Sequence, residues 1–304
     1  MVLGAAGMVG SACVRRLKAD GFTRILTPQR HLYDLTRQHR AEQCICEARP
    51  DVIIMAAGLV GGIEANRFNQ ATFLHDNACM ALSVIHAASQ NHVDRLIYLG
   101  SACAYPLQQG EMRESSLLTG PLEPTNAGYA LAKSLGAELC RHYSHSYGVN
   151  YQCLMPCNLY GPGDNYTDTG HAVAMLMRRF ALAVQNNAPS VTVWGTGNPL
   201  REFLHVDDLA SAIVCVLDQP GDLPLINIGP RHGVSIRRLA ETIADVVGFT
   251  GDIYYDTSKP DGAPVKLLDA SQIHAMGWRP KVQLRAGLEQ VYQDTFGPAV
   301  AEVA

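Results

Sequence analysis

The chain has 304 residues, close to the upper limit for one hydrophobic core, so one large domain or two closely joined ones is expected. Apolar residues make up 47% and charged residues 17%, which excludes a disordered chain. Net charge is −4 with no basic block, which argues against nucleic acid as a partner and leaves room for an anionic small ligand.

The nine cysteines (Cys13, Cys44, Cys46, Cys79, Cys103, Cys140, Cys153, Cys157 and Cys215) are odd in number and contain no C-x-x-C. Neither a disulfide frame nor a metal site is expected, and most should be small, reduced, buried apolar residues. No signal-like segment or apolar run of membrane length occurs, so no membrane partner is expected and the cytoplasm is the expected compartment.

Met1-Val2-Leu3 reads as a first strand, short enough to suggest that native residues precede Met1. Gly4-Ala5-Ala6-Gly7-Met8-Val9-Gly10 follows at once, and Ser11 to Lys18 has helical spacing. That context gives a G-x-x-G-x-x-G run its meaning: Gly4 for a tight turn, Gly7 for close approach of backbone to a pyrophosphate, Gly10 for helix packing on strand. Arg24 to Thr27 reads as a second strand and Asp51 to Gly58 as a buried one ending in small residues. Ala65 to Asn91 should be largely helical, Arg95 to Gly100 a strand, Ala127 to Tyr147 a helix and Tyr151 to Met155 a strand. Continuous apolar strands alternating with helices predict a Rossmann-type, doubly wound parallel sheet buried on both faces.

After Asn158 the texture changes. A polar loop, Gly161 to Asp168, precedes a helix over His171 to Gln185 and a strand over Ser190 to Gly195. His205 to Leu217 reads as a helix, Leu225 to Gly229 as a strand, Ser235 to Val247 as a helix and Asp252 to Tyr255 as a strand. The expected division is a dinucleotide-binding Rossmann domain over 1–158 plus about 202–219. A smaller mixed α/β substrate domain would take 159–201 and 220–304, with the site in the cleft between them.

Tyr129 and Lys133 lie four apart on one helix face, where an ammonium can lower the pKa of a phenol that serves a carbonyl as proton donor. Such a pair is common on solvated helices. Here it follows a Gly-rich turn and Ser101, which stands with Cys103 just beyond a strand, at the end where open α/β sheets bind ligands.

In this order these residues resemble the extended short-chain dehydrogenases/reductases. Closer still, the chain resembles the GDP-4-keto-6-deoxymannose epimerase-reductases of the GDP-L-fucose synthase family. The likeness covers nearly the whole chain and is carried by Gly7-Met8-Val9-Gly10-Ser11, Val60-Gly61-Gly62-Ile63, Leu122-Glu123-Pro124-Thr125-Asn126 and Asn158-Leu159-Tyr160-Gly161-Pro162. It continues through Val193-Trp194-Gly195, Arg201-Glu202-Phe203-Leu204-His205-Val206-Asp207-Asp208, Ser258-Lys259-Pro260-Asp261-Gly262 and Lys266-Leu267-Leu268-Asp269.

The resemblance implies 3,5-epimerisation and NADPH-dependent 4-reduction of GDP-4-keto-6-deoxy-D-mannose to GDP-L-fucose. A related route, to GDP-colitose, or a plain 4-reductase is the rival. Tyr129 would protonate the carbon-4 oxygen, Lys133 would lower its pKa and hold the nicotinamide ribose, and Ser101 would bond the same oxygen. Cys103 and His171 would exchange protons at carbons 3 and 5 through an enediolate, their roles as acid and base left open. The implied NADP(H) contacts are Gly4, Gly7, Met8, Val9, Gly10, Arg30, Ala56, Ala57, Leu99, Tyr129, Lys133, Pro156, Asn158, Leu159 and His171. Those to the GDP-sugar are Asn158, Arg179, Trp194, Arg201 and Lys266. Ala5 and Ala6 replace a basic residue that many relatives place in the turn. No acid follows Leu26 to favour NADH, and Arg30 could pair with a 2′-phosphate, so NADPH is preferred. Val265 stands where a basic residue is expected before Lys266. The helices over 65–91 and 127–147 resemble those that pair across a two-fold axis, which implies a homodimer.

Overall fold

Short apolar runs punctuated by helices place each new strand beside an earlier one, and the result is a five-stranded parallel sheet. The computed structural model describes residues 1–107, 110–167, 170–220, 223–259 and 261–297. In the first part, β1 (Val2–Leu3), α1 (Met8–Ala19), α2 (Gln38–Ala48), β2 (Val52–Met55), α3 (Ile63–Phe68) and α4 (Gln70–Gln90) lead to β3 (Arg95–Leu99). β4 (Glu111–Met112), α5 (Ala127–Tyr147) and β5 (Asn150–Pro156) follow. Then come β6 (Asn158–Tyr160), α6 (Ala172–Gln185), β7 (Ser190–Trp194), β8 (Leu200–Arg201), β9 (Phe203–His205), α7 (Val206–Leu217) and β10 (Leu225–Ile228). The last elements are β11 (Val234–Ser235), α8 (Ile236–Val247), β12 (Asp252–Asp256), β13 (Val265–Leu268), α9 (Ser271–Ala275) and α10 (Leu284–Phe296).

The main sheet runs β1-β2-β3-β5-β10, every pair parallel, as the continuous apolar runs predict. α1 packs on α7, while α2, α4 and α5 pack as a second helical group. Two expectations change. Arg24–Thr27 is not a regular strand: it lies along the free edge of β1 through one bond, Val2 N–H to Leu26 C=O at 2.8 Å, because two residues of β1 offer too little ladder. The helix expected over 65–91 is two helices parted at Asn69, whose φ of −128° interrupts the α conformation. Sequence reading also passes over α2, whose apolar face is narrow: Ala41, Cys44 and Ile45 alone are buried.

Two apolar cores result. The first is built on the main sheet, and the second joins Tyr160, α6, Val191, Val193, α8 and α10. β10 and the stretch through Ala270, Ile273 and Trp278 pack into the first core, although the sequence reading groups 220–304 with the second region. A sheet of order β11-β8-β13-β4 passes along the boundary and carries Arg201 and Lys266. Among the described residues no helix is long and apolar enough to cross a membrane, and no three His, Cys, Asp or Glu residues gather as a metal site. All nine cysteines are free thiols.

Candidate active site

The turn after β1 is shaped by two glycines. Gly4 has φ +81°, and a Cβ there would lie 2.6 Å from the Ala57 backbone; a Cβ on Gly10 would lie 2.1 Å from the Gly4 carbonyl oxygen. Gly7, by contrast, is open: a Cβ there would meet only the Gly4 oxygen, at 3.5 Å. Gly7 is also the N-cap of α1, which has no side-chain cap and no acidic residue in its first turn. The positive end of that helix is therefore left for an anion, and the turn fits a dinucleotide pyrophosphate. Met8 and Val9 begin the helix, and Ala56 and Ala57 follow β2 beside Gly4. Arg30 is exposed beyond the edge segment.

Beyond β3 the chain turns at Ser101, whose Oγ accepts the Cys103 N–H at 3.1 Å and caps a single 3-10 turn. Opposite stands the first turn of α5. Its N-cap, Asn126, makes no side-chain cap, but Gln70 at the start of α4 accepts the Gly128 N–H and donates to the Pro124 carbonyl, at 3.2 and 2.9 Å. This holds Tyr129 in place, edge-on to Phe73 at 6.3 Å between centroids and in a shared hydrogen bond with Ser101.

Lys133 lies one turn further along, only 5% exposed. Its Nζ donates to the Leu99 carbonyl at 2.8 Å and stands 5.0 Å from the Tyr98 ring centroid and 5.7 Å from that of Tyr129. Burial lowers its pKa to about 8, with Cys153 acting in the opposite direction. Burial first, then Cys103, raise the Tyr129 phenol above its ordinary value, and Ser101 pulls it back in part. The ammonium is bonded to Leu99 rather than to the phenol oxygen.

Cys103 is half-buried, and its Sγ lies 3.8 Å from Lys266 Nζ. Lys266 faces Arg201 in the parallel β13–β8 pair, so both cations lie on one face of that sheet. Burial lowers the Arg201 pKa, and the charges of Cys103, Asp261 and Glu123 act against that. His171 is the N-cap of α6 and meets Asp164 at 3.3 Å. Asn158 is exposed at the start of β6 beside Leu159, donates to the Glu202 carbonyl at 2.9 Å, and follows buried Pro156 and Cys157. Arg179 donates to the Thr192 carbonyl at 2.6 Å and lies 6.0 Å from the exposed Trp194 ring, which Lys259 also approaches. Pro260, in the string that resembles the family, lies outside the described residues.

The structure thus brings Ser101, Cys103, Tyr129, Lys133, Leu99 and Lys266 together by contact, while Arg30 and Trp194 are exposed and Arg179 lies beside Trp194. Sequence reasoning missed Asn77, which is buried and takes the Leu59 N–H while donating to the Leu59 and Phe73 carbonyls, so it fixes the loop after β2. It also missed Glu202. This carboxylate is fully buried and accepts the Leu268 N–H at 2.7 Å together with the N–H groups of Arg231 and His232; burial raises its pKa to about 7. An acid inside the Arg201-to-His205 run, followed directly by apolar Phe203 and Leu204, was the available signal.

A model of the NAD dependent epimerase/dehydratase family matches residues 1–229. GDP-L-fucose synthase 1 of Arabidopsis thaliana is 47% identical over 293 residues, 96% of this chain and 91% of that protein. GDP-L-fucose synthase of Escherichia coli (strain K12) is 44% identical over 303 residues, 96% and 94% of the two chains. Among solved structures, a GDP-L-fucose synthetase from Naegleria fowleri bound to NADP superposes with a TM-score of 0.89 at 25% identity, covering 100% of this chain and 94% of that one.

Proposed function

This chain belongs to the NAD dependent epimerase/dehydratase family, and from that membership we propose that it converts GDP-4-keto-6-deoxy-D-mannose to GDP-L-fucose by 3,5-epimerisation and NADPH-dependent 4-reduction. The observation that carries the reading is Tyr129 hydrogen-bonded to Ser101, with Lys133 buried behind it and Cys103 two residues beyond the serine. A plain reductase needs the first three groups and has no use for a thiol at that place. Relatives at 44–47% identity over nearly the whole chain bear fucose-forming names, which favours this product over GDP-colitose.

Bound NADPH supplies hydride to carbon 4. Tyr129 gives its proton to the carbon-4 oxygen, and Ser101 steadies that oxygen as charge collects on it. The Lys133 ammonium stabilises the phenolate that remains, its effect strengthened by burial. During epimerisation the same oxygen carries the enediolate charge, while Cys103 and His171 serve the two faces of the sugar. The cations Arg201 and Lys266 would grip the diphosphate, with Arg179 and Trp194 at the nucleotide rim. Gly4, Gly7, Met8, Val9, Gly10, Ala56, Ala57, Leu99, Pro156, Asn158 and Leu159 would line the cofactor side, with Arg30 at the 2′-phosphate.

The reading extends to a division between a cofactor unit built on the main sheet, β10 included, and a substrate unit built on the second core, and to a cytoplasmic homodimer. Leu82 of α4 and Leu131 of α5, each 47% exposed, supply apolar surface for a helix bundle between subunits, and free thiols suit a reducing compartment.

The test is one incubation in heavy water with NADPH and GDP-4-keto-6-deoxy-D-mannose, read by NMR. GDP-L-fucose deuterated at carbons 3 and 5 is expected. A reduced sugar without deuterium would leave only a 4-reductase, and no NADPH consumption would overturn the reading.

A further inference from the structure

His171 stands at the boundary of a loop and a helix, a place where histidines are usually just solvated. Its surroundings are not those of a solvated side chain. The His171 Nδ1 lies 3.3 Å from Asp164 Oδ1, and the Asp164 side chain is 4% exposed while that of His171 is 39% exposed. Asp164 is held from several directions. Its Oδ1 also accepts the Asn165 N–H at 2.7 Å, and its own N–H reaches the Gly161 carbonyl at 3.3 Å. Its Oδ2 is buried and has no hydrogen-bond partner among the described residues. The loop is tied down further by Tyr166 Oη donating to the Gly161 carbonyl at 3.2 Å. It packs near the cofactor turn, since a Cβ on Gly163 would lie 3.7 Å from the Met8 Cα. A buried carboxylate that has lost its water gains most from a donor beside it, and the imidazole is the group presented to it.

We propose that Asp164 is a positioning residue for His171: it accepts the Nδ1–H, fixes the tautomer and ring orientation, and leaves Nε2 as the nitrogen that exchanges a proton with the sugar. The inference rests on the epimerase reading for its chemistry. In the direction of donation, the Nε2–H bond breaks as the enediolate's electron pair forms the new C–H bond, and neutral imidazole remains with its Nδ1–H on Asp164. In the direction of removal, Nε2 takes the proton, the C–H pair passes into the enediolate, and imidazolium remains, its Nδ1–H still on Asp164. Either way one proton moves and the Nδ1 proton stays. The arrangement converts a partly exposed histidine, otherwise free to adopt either tautomer, into one with a defined reactive nitrogen.

The experiment uses the full-length protein labelled with 15N-histidine, the His171 signals being assigned by their loss in His171→Gln. In wild type at a pH where the ring is neutral, the Nδ1–H tautomer is expected. Asp164→Asn should keep it, because the Asn165 N–H still holds an amide oxygen in the acceptor place. Asp164→Ala should shift His171 toward the Nε2–H form. In parallel, deuterium incorporation from heavy water at carbons 3 and 5 should fall about tenfold or more in Asp164→Ala, and less in Asp164→Asn. NADP-dependent oxidation of GDP-L-fucose, which needs only Ser101, Tyr129 and Lys133, should stay within about twofold. An Nε2–H tautomer in wild type, or an unchanged tautomer in a folded Asp164→Ala, would overturn the proposal. Absence of epimerisation in wild type would sink the functional reading instead, and the tautomer measurement would still decide the pairing.

Discussion

The strand ends of the first core and the rim of the second region treat their polar groups in opposite ways. Around β3 and α5 the functional groups are half-buried or buried and mutually bonded: Tyr129 to Ser101, Ser101 to the Cys103 amide, Lys133 to the Leu99 carbonyl. Around β7 the ring of Trp194 is exposed, with Arg179 and Lys259 near it in water's reach. Desolvated groups on rigid elements have their electrostatics set before a ligand arrives, which is what a reacting centre requires. Exposed cations are screened and gain strength only when a ligand covers them. On the proposed function, the difference fits carbonyl reduction to the strand ends of the first region and nucleotide affinity to the β7 rim of the second, with His171 reaching the sugar from α6.

The sharpest way to break that contrast is Tyr129→Phe, which keeps the ring against Phe73 and removes the proton. NADPH oxidation should fall by about two to four orders of magnitude with KM nearly unchanged, checked by steady-state kinetics. Next is the pH profile. Lys133 is lowered to about 8, so its ammonium is present below that pH and lost above it. The free protein's kcat/KM should therefore decline through about pH 8, and Lys133→Arg should move that limb beyond the measurable range. The same shift has a stability consequence. A folded-state pKa below the ordinary 10.5 means that the stability linked to this group is complete above 10.5 and lost as pH falls through about 8. The first region therefore bears a stability cost at neutral pH in order to hold an ammonium under the phenol.

Glu202, raised to about 7 from 4.5 by burial, titrates in the opposite sense. Its linked stability is complete below 4.5 and lost as pH rises through 7. Urea unfolding midpoints of wild type should accordingly decline from pH 5 to pH 8 relative to Glu202→Gln. The two should diverge by about 2 kcal/mol. A constant offset between them would mean that the carboxylate does not titrate in this window. The smallest effects belong to the rim: Trp194→Ala should raise KM for the GDP-sugar about three- to tenfold and leave kcat unchanged. A comparable loss of kcat there would collapse the distinction between the two regions.

Much of the chemistry was legible in the chain because it is encoded locally. Gly4 and Gly10 announce their turn by having no side chain, and the spacing of Tyr129 and Lys133 is a property of any helix. α5 begins and ends where its apolar pattern does, at Ala127 and Tyr147. Where local pattern conflicts with context it misleads: Arg24–Thr27 has strand composition, but the structure offers it a two-residue neighbour.

What only the tertiary structure decided are the pairings between residues far apart in sequence. Gln70 completes the first turn of α5, Lys266 reaches Cys103 across 163 positions, and Glu202 binds the β13 amide of Leu268. Even the 3.3 Å approach of Asp164 to His171, only seven residues apart, is a product of the fold. Composition and periodicity determine which face of an element is apolar, because that preference is summed over many weak contacts along one segment. A single polar bond between segments leaves no period in the sequence, since its energy depends on the distance and burial that folding itself creates.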